Sequence, residues 1–286
     1  MSGVIVLDKP AGLTSAGAVE MVKRRVGAAR AGHGGTLDPI ATGVLPICLD
    51  EATKLAPYLL ADDKEYDAEL VLGVETDTLD RTGAVTATRD PSGVTREAMI
   101  AALAARIGPQ QQIPPMYSAV KLGGVRLHER ARAGEEIERA PRAIRIDRLE
   151  LVAWTPPRVK IALACSKGTY VRSVVADLGR DLGCGAHLAE LRRTRSGTFA
   201  IAQACALDDV ASTRPIGMVA ATRLPIVAMP AALERKIRDG LQTIAGELAG
   251  LPAEGQRFQL VAEGDRLVAI ARLERGKVVY DRVFKP

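Results

Sequence analysis

The chain has 286 residues, of which 47% are hydrophobic, only 3% aromatic and 26% charged, with a net charge of +5. That supports one large domain with an aliphatic core plus a small one, and the mildly basic balance admits an anionic partner such as RNA without requiring it. No run of about 18 apolar residues argues for a membrane span, and the first residues lack the basic start and apolar stretch of a secretory signal. Cys48, Cys165, Cys184 and Cys205 are widely spaced and form no C-x-x-C pair, so reduced, buried thiols are expected. Cys184 and His187 make a lone C-x-x-H, and with three histidines in the chain a four-ligand zinc site is not expected.

In chain order, residues 3–7 read as a short strand, and Thr14 or Ser15 caps a helix to about Val26 with Val19, Val22 and Val26 on one side. Residues 32–47 fit neither a helical nor a strand period and read as a loop. Helical spacing returns over 51–60, where Ala52, Leu55, Ala56 and Leu59 make a stripe. Residues 65–74 alternate as a strand, 76–83 form a polar turn, and Thr95 caps a helix to about Ile107 with Met99, Ile100, Leu103, Ala104 and Ile107 inward. Prolines extend 113–121, a basic helical stretch is expected near 127–133, and 143–153 and 158–165 read as strands. Thr169 is the expected cap of a helix whose core stripe is Val171, Val174, Val175, Leu178 and Leu182, with Arg172 off that stripe.

Prolines 215, 225 and 230 fall among short apolar pieces, which places a domain boundary within 211–230 and divides the chain into 1–220 and 221–286. The tail opens with a short basic helix and continues as strands near 258–262, 266–273 and 277–284. It reads as a small β-rich module.

The loop at 32–47 sets four glycines and two prolines around one carboxylate, Asp38, and one imidazole, His33. Glycine permits positive φ and close approach of a ligand, while Pro39 biases Asp38 away from the α region. An Asp-Pro pair is also an ordinary turn opener, so the loop alone leaves both readings open. Tyr66 on a strand and Arg172 in the first turn of a helix are the other chemical candidates. An arginine beside a carboxylate orients it and keeps it ionised, and such a carboxylate can act at a sugar's anomeric carbon. The clusters Lys23-Arg24-Arg25 and Arg192-Arg193-Thr194-Arg195 suit phosphate contacts or a solvated face.

Gly34-Gly35-Thr36-Leu37-Asp38-Pro39-Ile40-Ala41-Thr42-Gly43-Val44-Leu45-Pro46 resembles the catalytic motif of the TruB-type tRNA pseudouridine synthases. Five further blocks agree in order: Lys9-Pro10 through Thr14-Ser15, Lys64-Glu65-Tyr66 through Thr78, Pro114-Pro115 through Lys121, Ser166 through Arg172, and Gly185 through Thr194. The resemblance implies an α+β fold, a mixed, largely antiparallel sheet with flanking helices, plus a small PUA-like RNA-binding module at 221–286. It implies conversion of uridine to pseudouridine at position 55 of the tRNA T-loop, by base flipping, with no cofactor or metal.

Asp38 matches the catalytic aspartate, Tyr66 the tyrosine that stacks on the flipped base and is a candidate to take the carbon-5 proton, and Arg172 the arginine that pairs with the aspartate. His33 matches a residue holding the opened loop, and Leu191 lies in the block lining the base pocket. Lys9 and Tyr170 are pocket candidates and Lys64 an RNA-backbone contact. The implied partner is the tRNA T-arm, with no obligatory protein partner, in a cytoplasmic monomer of the stand-alone bacterial type. A phosphotransferase with an aspartyl nucleophile would need a second aspartate at position 40, where Ile40 stands. A tRNA chaperone without chemistry is the rival from another class.

Overall fold

The computed structural model describes residues 2–118, 121–122, 125–126, 137–238 and 243–285. In chain order the strands are β1 (Gly3–Lys9), β2 (Ala31–His33), β3 (Thr42–Leu49), β4 (Lys64–Leu72), β5 (Val74–Thr76), β6 (Val85–Thr88), β7 (Gly108–Gln112), β8 (Lys121–Leu122), β9 (Val125–Arg126), β10 (Arg142–Thr155), β11 (Arg158–Cys165), β12 (Ala186–Ser196), β13 (Phe199–Ala200), β14 (Ile226–Ala228), β15 (Thr243–Ile244), β16 (Arg257–Ala262), β17 (Arg266–Glu274) and β18 (Lys277–Val283). Nine of those described make one sheet in the order β1-β3-β12-β4-β11-β10-β7, with β2 beside β3 and β13 beside β12. Every pairing in it is antiparallel except β12 with β3. The expected α+β class and mixed, largely antiparallel sheet are therefore found.

Strand β1 explains how the layers stack. Its side chains are apolar on both faces because both faces are covered. Ile5 and Leu7 join the core under the helices Ser15–Val26 and Val171–Asp181, while Val4 and Val6 join a second cluster with Leu55, Phe199, Ile270 and Phe284. The latter two belong to the C-terminal region, where β14-β16-β17-β18-β15 form a five-stranded sheet behind the helix Ala231–Arg238. The C-terminal sheet thus closes the face opposite the helices. Each aliphatic side chain so buried contributes about 1.5–3 kcal/mol.

Several local expectations are corrected. The stretch 51–60 is a 3-10 helix, Asp50–Leu55, followed by a short α-helix, Ala56–Leu60. Pro57 has no N–H to give the carbonyl of Thr53, so one continuous α-helix cannot run through it. The helix Arg96–Ala105 buries only Met99 and Leu103, leaving Ile100 and Ile107 exposed at 41% and 50%. Thr169 does not cap the helix Val171–Asp181. Its hydroxyl donates to the carbonyl of Ser166 (2.9 Å), and Tyr170 holds the cap position. The helix expected near 127–133 lies outside the described residues.

The Asp38 loop is anchored where β3 meets β12. Gly43 sits in parallel register with Arg193 and has φ +97°. A Cβ there would meet the Arg193 carbonyl oxygen at 2.2 Å. We expect Gly43→Ala to lower stability by about 2–4 kcal/mol through steric overlap and backbone strain. Gly217→Ala, where nothing lies within 4 Å, should change it by less than about 0.5 kcal/mol. Urea unfolding of both variants checks this, and equal midpoints would show that the close approach is not required.

Candidate active site

The site lies on the helix-covered face of the sheet, over the β4–β12 pair. Tyr66 and Arg193 are directly opposed in register, as are Ala68 and Leu191, so these four side chains share one face. The Asp38 loop crosses above them, its Leu37, Ile40 and Ala41 packed into the same core. Ser15 fixes Leu37 from both sides: its hydroxyl donates to the Leu37 carbonyl (3.0 Å) and accepts from the Leu37 N–H (2.8 Å). The Gly12 N–H donates to the Pro39 carbonyl (2.8 Å) and the Ala41 N–H to that of Asp38 (3.0 Å). The backbone around the carboxylate is therefore tied on both sides of it.

The structure brings Asp38 and Arg172 together across 134 positions of sequence. Arg172 donates through Nε to Asp38 Oδ2 (2.8 Å) and through Nη2 to Oδ1 (3.1 Å). Its remaining donors reach the carbonyls of Thr78 (2.9 Å) and Tyr117 (2.8 Å). The Arg172 side chain is 4% exposed and that of Asp38 29%. The guanidinium is thus locked inside, while part of the carboxylate faces outward. Asp80 stands behind at 3.9 Å, its carboxylate holding Thr78 and Thr82. The polar turn 76–83 thereby becomes the second wall of the ion pair. A cation in a helix's first turn opposes the helix dipole, and Asp38 is the group that offsets it.

Tyr66 is buried, and burial raises its hydroxyl's pKa, opposed by the charge of Arg193 and aided by Cys165 and Asp38. His33, in β2, accepts from the Gly35 N–H through Nδ1 (3.4 Å). Burial and then the Arg193 charge lower its pKa, which favours the neutral ring. Tyr170 stands half-buried at the helix start with its backbone clamped by Gln112, which donates to the Tyr170 carbonyl (3.0 Å) and accepts from its N–H (2.8 Å). The Arg142 guanidinium lies 5.4 Å from the Tyr170 ring centroid. Beside it opens a cavity of about 650 Å³ bordered by Pro114, Arg139, Arg142, Lys167 and Gly168.

Two lysines are placed differently from expectation. Lys64 is 7% exposed, with its ammonium turned onto the carbonyls of Leu59 (3.5 Å), Leu60 (3.0 Å) and Asp62. Its pKa falls to about 8 through burial and then the Arg193 charge. The expected RNA-backbone contact does not fit this placement, because the charge sits below the surface. Lys9 is fully buried and donates to the carbonyls of Pro10 (2.9 Å), Leu13 (2.8 Å) and Pro39 (3.5 Å), so it faces the underside of the loop. Burial takes its pKa to about 8, with Asp38 opposing.

The cluster at 192–195 is split between partly exposed ion pairs and one buried arginine. Arg192 pairs with Asp8 (2.7 Å) and Arg195 with Glu65 (2.5 Å), while Arg193 is 1% exposed. Arg193 donates to the carbonyls of Val44 (2.7 Å), Thr36 (3.3 Å) and Gly35 (3.1 Å), clasping the Asp38 loop from below. Sequence reasoning missed this residue because no strand was assigned to 186–196. The signal was available: Leu191 and Arg193 share a parity, so a strand there puts the arginine on the core side. His187 is held by the Val74 carbonyl (2.9 Å) and Cys184 by that of Gly185 (3.3 Å). Among the described residues no group of three or more His, Cys, Asp or Glu side chains could hold a metal ion.

A model of the TruB family pseudouridylate synthase N-terminal domain matches residues 23–171, and one of the tRNA pseudouridylate synthase B C-terminal domain matches 172–216. A tRNA pseudouridine synthase B of Stutzerimonas stutzeri (strain A1501) is 52% identical over 208 residues, 73% of this chain and 68% of the relative. That of Burkholderia mallei (strain NCTC 10247) is 43% identical over 294 residues, 99% of this chain and 97% of its own. A solved Cbf5-Nop10-Gar1 complex contains a chain 29% identical with a TM-score of 0.77, over 99% of this chain and 85% of that one. An H/ACA RNP bound to a substrate RNA containing 2′-deoxyuridine gives 26% and 0.76, over 99% and 85%. The matches run through the Asp38 loop and the Arg172 helix alike and, in the second relative, through nearly the whole chain. On these grounds the chain belongs to the TruB family of pseudouridylate synthases, which are isomerases.

Proposed function

We propose that this chain isomerises uridine to pseudouridine in tRNA, at position 55 of the T-loop, with Asp38 as its essential carboxylate. The observation that carries the reading is the two-pronged grip of Arg172 on Asp38. Breaking a carbon–nitrogen glycosidic bond calls for an ionised carboxylate in a fixed orientation. A buried guanidinium that engages both oxygens and two carbonyls supplies both conditions.

A stacked uridine is out of reach of such a group, so the base must leave the stack, at a cost of a few kcal/mol that a single-stranded loop reduces. Tyr66, buried beneath Asp38 on the sheet, receives the flipped base on its ring and takes the proton from carbon 5. Leu191, on the same face, lines the pocket, and His33 and Tyr170 stand at its rim and hold the opened loop. Lys9 keeps the loop backbone in place from below. Backbone phosphates of the T-arm meet Arg142 and Lys167 at the cavity beside Tyr170, the role the sequence had suggested for Lys64. Phosphate contacts make affinity fall with salt.

Residues 1–220 form the catalytic part and 221–286 a PUA-like RNA-binding module, a reading supported by the size of the five-stranded C-terminal sheet. The chain acts in the cytoplasm as a monomer without an obligatory protein partner.

Asp38→Asn should abolish pseudouridine formation in a T-arm transcript assayed without added metal, while the dissociation constant for that RNA changes by less than about threefold. Mapping the modified position tests site and residue together. Product formed at the wild-type rate by the variant would remove Asp38 from its assigned role. Arg172→Lys keeps the charge but not the planar fork. Its single-turnover rate should fall by about 10²-fold or more, with a loss of stability of about 1–3 kcal/mol. A variant that unfolds at lower temperature yet reacts normally when folded would make Arg172 a structural residue only.

A further inference from the structure

Buried cations are ordinarily neutralised by a carboxylate. Even the partly exposed neighbours of Arg193 in β12 have such partners, Arg192 with Asp8 and Arg195 with Glu65. Arg193 is the more deeply buried, at 1% exposed, and among the described residues no carboxylate lies within ion-pair distance of it. Its three fixed bonds go to neutral carbonyls, through Nε, Nη1 and Nη2. A guanidinium has five N–H groups, so one on each Nη remains. An unneutralised positive charge with two donors to spare is a site prepared for an anion.

The candidate for that anion lies directly opposite. Tyr66 is the register partner of Arg193 on β4, so the two side chains stand side by side on one face, and the guanidinium charge favours ionisation of its hydroxyl. The other titratable groups that act on Tyr66 are Cys165 on β11 and Asp38 from the loop side, while Lys64, two residues earlier on the same strand, His33 and Lys9 feel the charge of Arg193. Asp38 and Cys165 disfavour negative charge on Tyr66, and so does burial. Lys64 has its ammonium directed away, at the 59–62 carbonyls. Arg193 is left as the group whose geometry favours the phenolate.

We propose that Arg193 is a positioning residue for proton removal from carbon 5: its two remaining N–H groups hold the Tyr66 oxygen toward the bound base and stabilise that oxygen as phenolate. The proposal rests on the function given above. In the step concerned, carbon 5 carries both its hydrogen and the new bond to the ribose. The proton passes to the Tyr66 phenolate oxygen. The pair that held it becomes the C5–C6 double bond, the C6–N1 π pair returns to N1, and N1 takes up a proton, so the net change is isomerisation. Because the same guanidinium grips Gly35, Thr36 and Val44, it also sets the spacing between Tyr66 and the Asp38 loop.

The test compares single-turnover rates on T-arm RNA whose target uridine bears hydrogen or deuterium at carbon 5. Arg193→Met, checked as folded by circular dichroism and by unchanged RNA affinity, should be slowed about 10²-fold and show a larger carbon-5 isotope effect than the wild type. Arg193→Lys should fall between the two in both quantities. A folded Met variant that is slow without any rise in isotope effect, or not slow at all, overturns the proposal and leaves Arg193 as a loop clamp. If Met is not tolerated, Arg193→Lys alone decides: an isotope effect equal to that of the wild type overturns it. A wild-type protein that makes no pseudouridine overturns the functional reading along with it.

Discussion

The Asp38–Arg172 ion pair is the contact on which the site depends. It joins the loop between β2 and β3 to a helix residue 134 positions later, and it does so with the arginine buried and the carboxylate partly open. Removing either member would strand the other. A buried guanidinium without its carboxylate costs several kcal/mol, and a carboxylate without its fork loses direction. The surrounding elements can be understood as support for this pair. Asp80 shapes the turn that gives the Thr78 carbonyl to Arg172, and Ser15 and Gly12 hold the loop on either side of Asp38.

Around the pair the protein arranges cations against backbone carbonyls. Lys9 sits under the Pro39 end of the loop, Arg193 under its Gly35–Thr36 end, and Lys64 against the 59–62 turn. Carbonyls satisfy the donors without cancelling the charge. The pocket floor therefore holds cations without a carboxylate in ion-pair contact among the described residues, whereas surface arginines such as Arg158 and Arg257 pair with Glu69 and Asp281. A floor of this kind suits chemistry in which negative charge appears on the base and is later dissipated.

Much of this was legible in the sequence because the signals are local. The Thr14 cap, the alternation in β4 and the stripe of Val171, Val174, Val175 and Leu178 depend on neighbours a few residues away, and all are found. The family blocks singled out Asp38, Tyr66 and Arg172, which the fold does bring to one place. What escaped was set by tertiary context. For Arg172 the family blocks imply the pairing with Asp38, but local pattern does not supply its other partners, which come from distant segments. By pattern the 192–195 cluster suits phosphate contacts or a solvated face, since arginine is rarely buried, and only the fold reveals the carbonyls that hold Arg193, as it does those that hold Lys64. Ile100 and Ile107 fit a helical stripe, yet the helix ends at Ala105 and buries only Met99 and Leu103.

The most direct test of the central claim is a double-mutant cycle on stability, using Asp38→Asn, Arg172→Met and the two combined, each followed by urea unfolding. If the pair binds loop to helix as described, the double variant should lose less than the sum of the singles by about 2–3 kcal/mol, because removing both members leaves no stranded charge. Losses that add to within about 0.5 kcal/mol would contradict the account, since they would mean that the two residues are held in place independently.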